Sequence, residues 1–153
     1  MNIAAGVLLI IAAIFNVMAG CTYAVGGAIA GGMGEIAEDM ANDPEFQEAM
    51  EEAGGDTDSF SDASKVKAAG AGLATWGFAL FGIAGVMIVG AICAFTKKKK
   101  GFVLVTGVLA IIAEGVGIVL IGFGIGNIVG LLAGLFVFLA LKSFPSPASA
   151  AAA

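Results

Sequence analysis

Charged and apolar residues occupy separate stretches of this chain, and their separation decides what the chain can fold into. Eleven of its twelve acidic residues fall between Glu35 and Asp62, and four of its seven lysines are consecutive, from Lys97 to Lys100. The other stretches are long and almost free of charge. Because backbone polar groups meet no water inside a bilayer, such stretches insert as helices that satisfy their own hydrogen bonds. The pattern predicts an all-α integral membrane protein.

The composition supports the same class. Charged residues make up 12% of the chain and hydrophobic residues 59%, whereas soluble domains carry about 25% charged residues. The chain contains no arginine and no basic stripe with aromatic residues, which argues against a nucleic-acid partner. The 24 glycines, many within apolar runs, are typical of membrane helices that pack backbone to backbone.

Four apolar runs follow one another, and the last two are contiguous. As a single helix the stretch from Gly101 to Leu141 would be about 60 Å long, twice the hydrocarbon thickness of about 30 Å. It must therefore fold back, and the glycine-rich sequence from Gly122 to Asn127 is the available turn. The predicted organisation is span one at 1–33, an acidic helical outer segment at 34–67, span two at 68–96, a cytoplasmic tetralysine loop at 97–100, span three at 101–122, span four at 124–142 and a mobile tail at 143–153.

Lysine placement predicts the orientation. Lysines concentrate on the cytoplasmic side of membrane proteins, so the loop of Lys97, Lys98, Lys99 and Lys100 is predicted to face the cytoplasm and to contact lipid headgroups. Lys142 follows span four on the same side. The sequence thus predicts an antiparallel four-helix transmembrane bundle with both termini in the cytoplasm, in a prokaryotic cytoplasmic membrane. The acidic segment then forms a helical extramembrane cap between spans one and two.

The acidic segment carries its own helix signals. In Asp43-Pro44-Glu45, an N-cap residue precedes a proline at the first helical position. Further on, the stretch that begins at Asp56 has calcium-loop spacing at first sight, but Ser61 and Lys67 stand where an EF-hand needs glycine and glutamate. We therefore expect a short acidic helix and no metal site.

Glu114 is the one ionisable side chain deep within a predicted span, and Asn16 is predicted to lie at a similar depth in the membrane. Counted from the cytoplasmic edge, the two residues lie at nearly the same level, so Asn16 can hydrogen-bond Glu114 if spans one and three are neighbours. An intramembrane carboxyl is a functional candidate by default. The structural alternative is a neutral carboxyl that holds helices together. A transport path needs several polar groups in series, and this chain offers few.

Small residues recur every fourth position along the predicted spans. Such ridges let helices approach closely, but the spacing does not choose between a partner within the chain and one on another subunit. The predicted helix-packing glycines are Gly122, Gly126, Gly130 and Gly134 in span four and Gly20, Gly27 and Gly31 in span one.

Nothing in the sequence indicates catalysis. The chain has no histidine, and neither a nucleophile with its base, a metal-ligand cluster nor a phosphate loop is present, so no cofactor is predicted. We therefore predict a non-catalytic accessory or scaffold subunit that packs through glycine ridges against other membrane subunits or itself. The alternative is an oligomeric channel or transport protein that uses Glu114 and Asn16 as an intramembrane polar site.

Overall fold

The computed structural model describes residues 2–54 and 62–144, and every regular element within them is an α-helix. The five helices are α1 (Asn2–Asn42), α2 (Pro44–Glu52), α3 (Ala63–Thr96), α4 (Lys100–Ile121) and α5 (Ile125–Leu141). Helices α1, α3 and α4 are long and apolar enough to cross a membrane, while α5 is a shorter apolar helix. The prediction of an all-helical, membrane-compatible chain is confirmed at this level.

Pro44 separates the first two helices. A proline disfavours helical backbone in the residue before it, and Asp43 is accordingly extended, with φ −82° and ψ 116°. The Asp43 carboxylate accepts a hydrogen bond of 2.9 Å from the Glu45 backbone N–H, which caps α2. The predicted short acidic helix is therefore present. The spacing of Ser59 and Asp62 matches a capping box and predicts that a helix begins there, but Ser59 lies outside the described residues.

Loss of this cap should loosen α2 measurably. Replacing Asp43 with alanine removes the acceptor for the Glu45 N–H and is expected to destabilise the helix by about 1 kcal/mol. Glu48→Ala removes the same charge from the same helix without touching a cap, so it is the matched control. Amide hydrogen exchange of α2 should accelerate in Asp43→Ala only, and equal acceleration in both variants would show that charge matters rather than capping.

The end of α3 is a Schellman motif. The Lys98 N–H bonds the Cys93 carbonyl oxygen at 3.1 Å, and the Lys97 N–H bonds that of Ala94 at 3.3 Å. The geometry requires a left-handed residue, and Lys97 fills that position with φ 52°. Two residues later Lys99, with φ 54°, precedes α4. Two lysines therefore occupy backbone conformations that glycine adopts without steric penalty.

The break between α4 and α5 lies within the predicted turn. Gly122 ends α4 with φ 109°, and its N–H bonds the Ile118 carbonyl oxygen at 2.9 Å. Gly122 is therefore the C-cap of α4. This corrects its predicted place in the glycine ridge of span four, because α5 begins only at Ile125.

Residue contacts divide the chain into two units, and α1 and α3 contribute to both. One, here called the acidic unit, is Ala19–Ala79; the other, the four-segment unit, comprises Met1–Met18 and Leu80–Ala153. The four-segment unit draws its buried core from α1, α3, α4 and α5, and α4 packs against α5. Small residues dominate this core, and its largest fully buried apolar side chains are Leu9, Met87, Val103 and Val137.

Candidate functional site: a buried carboxyl and its glycine contacts

Glu114 lies on α4 in the four-segment unit, with only 8% of its surface exposed. The Asn127 side-chain Nδ2 donates a hydrogen bond of 2.8 Å to Glu114 Oε2. The Asn127 Oδ1 in turn accepts a bond of 2.7 Å from the Gly124 N–H at the start of α5. One amide therefore joins the buried carboxyl of α4 to a backbone donor that the first turn of α5 leaves without a helical partner.

The rest of the Glu114 carboxyl faces Gly130 on α5. A Cβ atom built on Gly130 would overlap Glu114 Oε1 and would lie 2.5 Å from Glu114 Cγ. Glycine at this position therefore provides the space that the carboxyl occupies. Since Asn127 and Gly130 stand three residues apart on α5, they present one helical face to Glu114. The arrangement packs α4 against α5, with the Glu114 carboxyl held between the two helices.

Asn16 has a different partner from the one predicted. Its Nδ2 donates to the Met87 thioether sulfur at 3.3 Å, on α3, and Met87 is fully buried. Equal depth along the helices suggests Asn16 as the partner of Glu114, but Asn127 supplies the hydrogen bond. The sequence carries part of this arrangement, because Asn127 stands three residues after Gly124, where a side chain can reach back to the N-cap N–H.

Thr106 is the third buried polar side chain at mid-helix. Its hydroxyl donates to the Phe102 carbonyl oxygen of its own helix at 2.9 Å. Within the described residues, Asn16, Thr106 and Glu114 therefore each bond to a separate partner and not to one another. A polar path needs groups in series, and this arrangement instead satisfies each group locally.

Glycines on α5 contact α4 and α1. A Cβ built on Gly134 would lie 2.5 Å from Ile111 Cγ1 and 3.0 Å from the Gly107 carbonyl oxygen. One built on Gly126 would lie 3.8 Å from the Phe15 ring, which is an ordinary contact. At Gly130 and Gly134, the two tightest positions of this ridge, atoms of α4 therefore occupy the space beside the glycine.

In the acidic unit, glycines bring α1 and α3 into backbone contact. A Cβ built on Gly70 would lie 2.7 Å from the Gly27 carbonyl oxygen and 2.8 Å from the Gly31 Cα. A Cβ on Gly77 would lie 2.7 Å from the Gly20 carbonyl oxygen. The contacts run in opposite directions along the two helices, so the pair is antiparallel. Gly20, Gly27 and Gly31 therefore serve packing within the chain.

An ion pair also joins α1 and α3 within the acidic segment. Lys67 Nζ lies 2.9 Å from Glu38 Oε2, with both side chains about half exposed. The hydrogen bond and charge of Glu38 raise the pKa of Lys67, and the charges of Glu35 and Asp39 add to the effect. Lys67 belongs to the acidic segment outside the apolar stretch, where it keeps its charge at neutral pH.

The described residues contain no group of three or more His, Cys, Asp or Glu side chains placed to hold a metal ion. The residues from Asp56 to Ser61, which belong to the stretch with partial calcium-loop spacing, lie outside the described residues. The lysines of the tetralysine loop are exposed, and within the described part of the chain the ion pairs involve Lys65 and Lys67 instead. Comparison of the chain with protein-family models, curated proteins and solved structures finds no match.

Proposed function

We propose that this chain is a non-catalytic accessory or scaffold subunit of a membrane assembly. It inserts as an antiparallel four-helix bundle in a prokaryotic cytoplasmic membrane, with both termini inside and the acidic segment as a helical cap outside. Contacts within the four-segment unit support the bundle. A Cβ built on Gly90 of α3 would lie 2.6 Å from the Thr106 hydroxyl of α4, and α4 packs against α5. Lys142 is exposed just after α5. Its long side chain can place the ammonium group at the membrane interface, which compensates for the short length of α5.

Three exposed helical glycines that contact no other helix of the described chain support the proposal of a membrane partner. A Cβ built on Gly82, Gly85 or Gly115 would meet no atom within 4 Å, although all three lie within helices and are exposed. Each destabilises its helix by about 1 kcal/mol relative to alanine, and the described chain offers no internal contact that offsets this. Small residues at exposed positions allow close approach of another membrane helix. We therefore assign partner packing to these glycines, because the predicted ridge glycines Gly20, Gly27, Gly31, Gly130 and Gly134 lie against other helices of the chain.

The proposal is tested by comparing assembly in native membranes between the parent chain and a variant in which Gly82 and Gly85 are replaced. The full chain, extracted in mild detergent, is expected to form a homo-oligomer or a complex of fixed stoichiometry with integral-membrane partners. Gly82→Leu with Gly85→Leu should abolish that assembly and leave helix content unchanged. Val119→Leu, at an apolar position that is 84% exposed, is the matched control and should assemble normally. A monomer without partners in the parent chain contradicts the proposal.

An oligomeric channel or transport protein is the second candidate. The observation that favours it is Glu114, an ionisable side chain buried in an apolar helix, since such residues often mark transport paths. Glu114→Gln separates the two functions, because glutamine retains an oxygen acceptor for Asn127 but cannot ionise. A scaffold gives no ion flux in liposomes with either chain. Flux in the parent that Glu114→Gln abolishes would establish the channel and contradict the scaffold.

A further inference from the structure

One end of the four-segment unit gathers the ends of four helices. The Ser143 hydroxyl, just after α5, donates to the Asn2 side-chain oxygen at the start of α1. A Cβ built on Gly6, one turn further along α1, would lie 2.5 Å from the ring of Phe95 near the end of α3. The loop after α3 leads directly into α4. The lysines at this end, here called the basic end, are Lys97, Lys98, Lys99, Lys100 and Lys142.

No carboxylate balances the basic end. The one acidic residue among the described residues of the four-segment unit is Glu114, which is buried and bonded to Asn127. None of the lysines of the basic end takes part in an ion pair with a described residue. Five exposed ammonium groups therefore lie at one end of the unit without a carboxylate partner among the described residues, and such a cluster attracts anions from its surroundings.

Exposed apolar side chains lie beside these lysines. Ile3 on α1, Phe95 on α3 and Phe102 on α4 are within a few residues of the basic end and are 72%, 40% and 37% exposed. A soluble anion would neutralise the lysines and leave these side chains in water. An anionic lipid satisfies both, because its headgroup meets the lysines while its acyl chains cover the apolar side chains.

The backbone of the loop points to a requirement for charge. Lys97 and Lys99 adopt left-handed conformations, with φ 52° and 54°, which are sterically unfavourable for a residue that carries a Cβ atom. Glycine avoids this penalty, and the chain has 24 glycines elsewhere. Lysine at both positions therefore sacrifices stability for two positive charges.

We propose that the basic end is a binding surface for anionic phospholipid headgroups, with phosphodiester groups shared among the lysines. The surface deepens the proposed function and rests on its membrane insertion. Lysine acts on phosphate as a point charge, so the surface selects headgroup charge. Its role is to give the subunit a preferred lipid shell on one leaflet.

The experiment measures lipid preference around the full chain in phosphatidylcholine bilayers. Trace spin-labelled phosphatidylglycerol or phosphatidylcholine reports, by electron paramagnetic resonance, the fraction of lipid immobilised at the protein. The parent is expected to prefer phosphatidylglycerol about threefold or more, since juxtamembrane lysines each attract anionic lipid. Lys98→Gln with Lys100→Gln and Lys142→Gln should lower this ratio toward one, and the remaining Lys97 and Lys99 should keep it above one. In about 1 M NaCl, where the screening length falls to about 3 Å, the preference should also disappear.

Two further variants separate binding from folding. Lys97→Gly with Lys99→Gly should raise the unfolding temperature and still lower the phosphatidylglycerol preference, which a purely structural loop would not do. Lys65→Gln, at an exposed lysine of the acidic unit, should leave both properties unchanged. Equal immobilisation of the two lipids by the parent overturns the inference and leaves the scaffold proposal standing. A phosphatidylglycerol preference that is unchanged when Lys98, Lys100 and Lys142 are replaced by glutamine also overturns the inference, because the charge of the basic end would then not be its source.

Discussion

Replacing Gly70 with alanine is expected to destabilise the α1–α3 pair of the acidic unit by about 1–3 kcal/mol, the range of overpacked cores. The new Cβ would lie 2.7 Å from the Gly27 carbonyl oxygen and 2.8 Å from the Gly31 Cα. Both neighbours are backbone atoms, which cannot turn aside as a flexible side chain does. The helices must separate, and other close contacts along the pair weaken with them. Equilibrium unfolding in mixed micelles, followed by circular dichroism, measures the change.

Gly72→Ala is the matched control for this prediction. It lies on the same helix two residues away, and a Cβ built there meets no atom within 4 Å. Alanine should therefore stabilise α3 at this position by up to about 1 kcal/mol through helix propensity alone. A lower free energy of unfolding for Gly70→Ala and a higher one for Gly72→Ala support close backbone packing, whereas destabilisation of equal size in both variants contradicts it.

Replacing Asn127 with alanine is expected to loosen the contact between α4 and α5 by about 1–3 kcal/mol, since it leaves buried polar groups unpaired. The substitution removes the donor to Glu114 Oε2 and the acceptor for the Gly124 N–H. Gly124→Ala would not test this link, because it leaves the N–H in place. Thermal unfolding in detergent measures the loss of stability.

A double-mutant cycle isolates the Glu114–Asn127 bond from other effects. If the bond acts as described, Asn127→Ala and Glu114→Ala together should cost less than the sum of the two, with a coupling of about 0.5–3 kcal/mol. Asn42→Ala is the control, because the Asn42 amide bonds a backbone carbonyl at an exposed site and its loss should change stability little. Strict additivity of the two substitutions contradicts the link.

Local signals in the sequence predicted the start of α2 and the break between α4 and α5. Pro44 and its preceding aspartate mark the start of α2, and Gly122 and Gly124 fall within the break between α4 and α5. These residues act through their own backbone, so a single sequence carries the information. The apolar runs likewise predicted helices capable of crossing a membrane, since hydropathy depends on composition alone.

Contacts between helices were predicted less well, because they depend on which faces meet. Gly126 and Gly130 share the same four-residue spacing, yet Gly126 makes an ordinary contact with Phe15 while Gly130 holds the Glu114 carboxyl. Spacing places residues on one face but does not say what covers each of them. For the same reason equal depth suggested Asn16 as the partner of Glu114, whereas Asn127 makes the bond.

The transmembrane arrangement is tested most directly by labelling from one side. In a chain with Cys21→Ala and Cys93→Ala, a reporter is introduced by Glu48→Cys in α2 or by Lys98→Cys in the tetralysine loop. Intact cells then receive a membrane-impermeant maleimide. We expect the reporter in α2 to react at once and the reporter in the loop to react only after permeabilisation. Reaction of both reporters in intact cells, or of the loop reporter alone, would contradict the topology and the roles assigned to both charged segments.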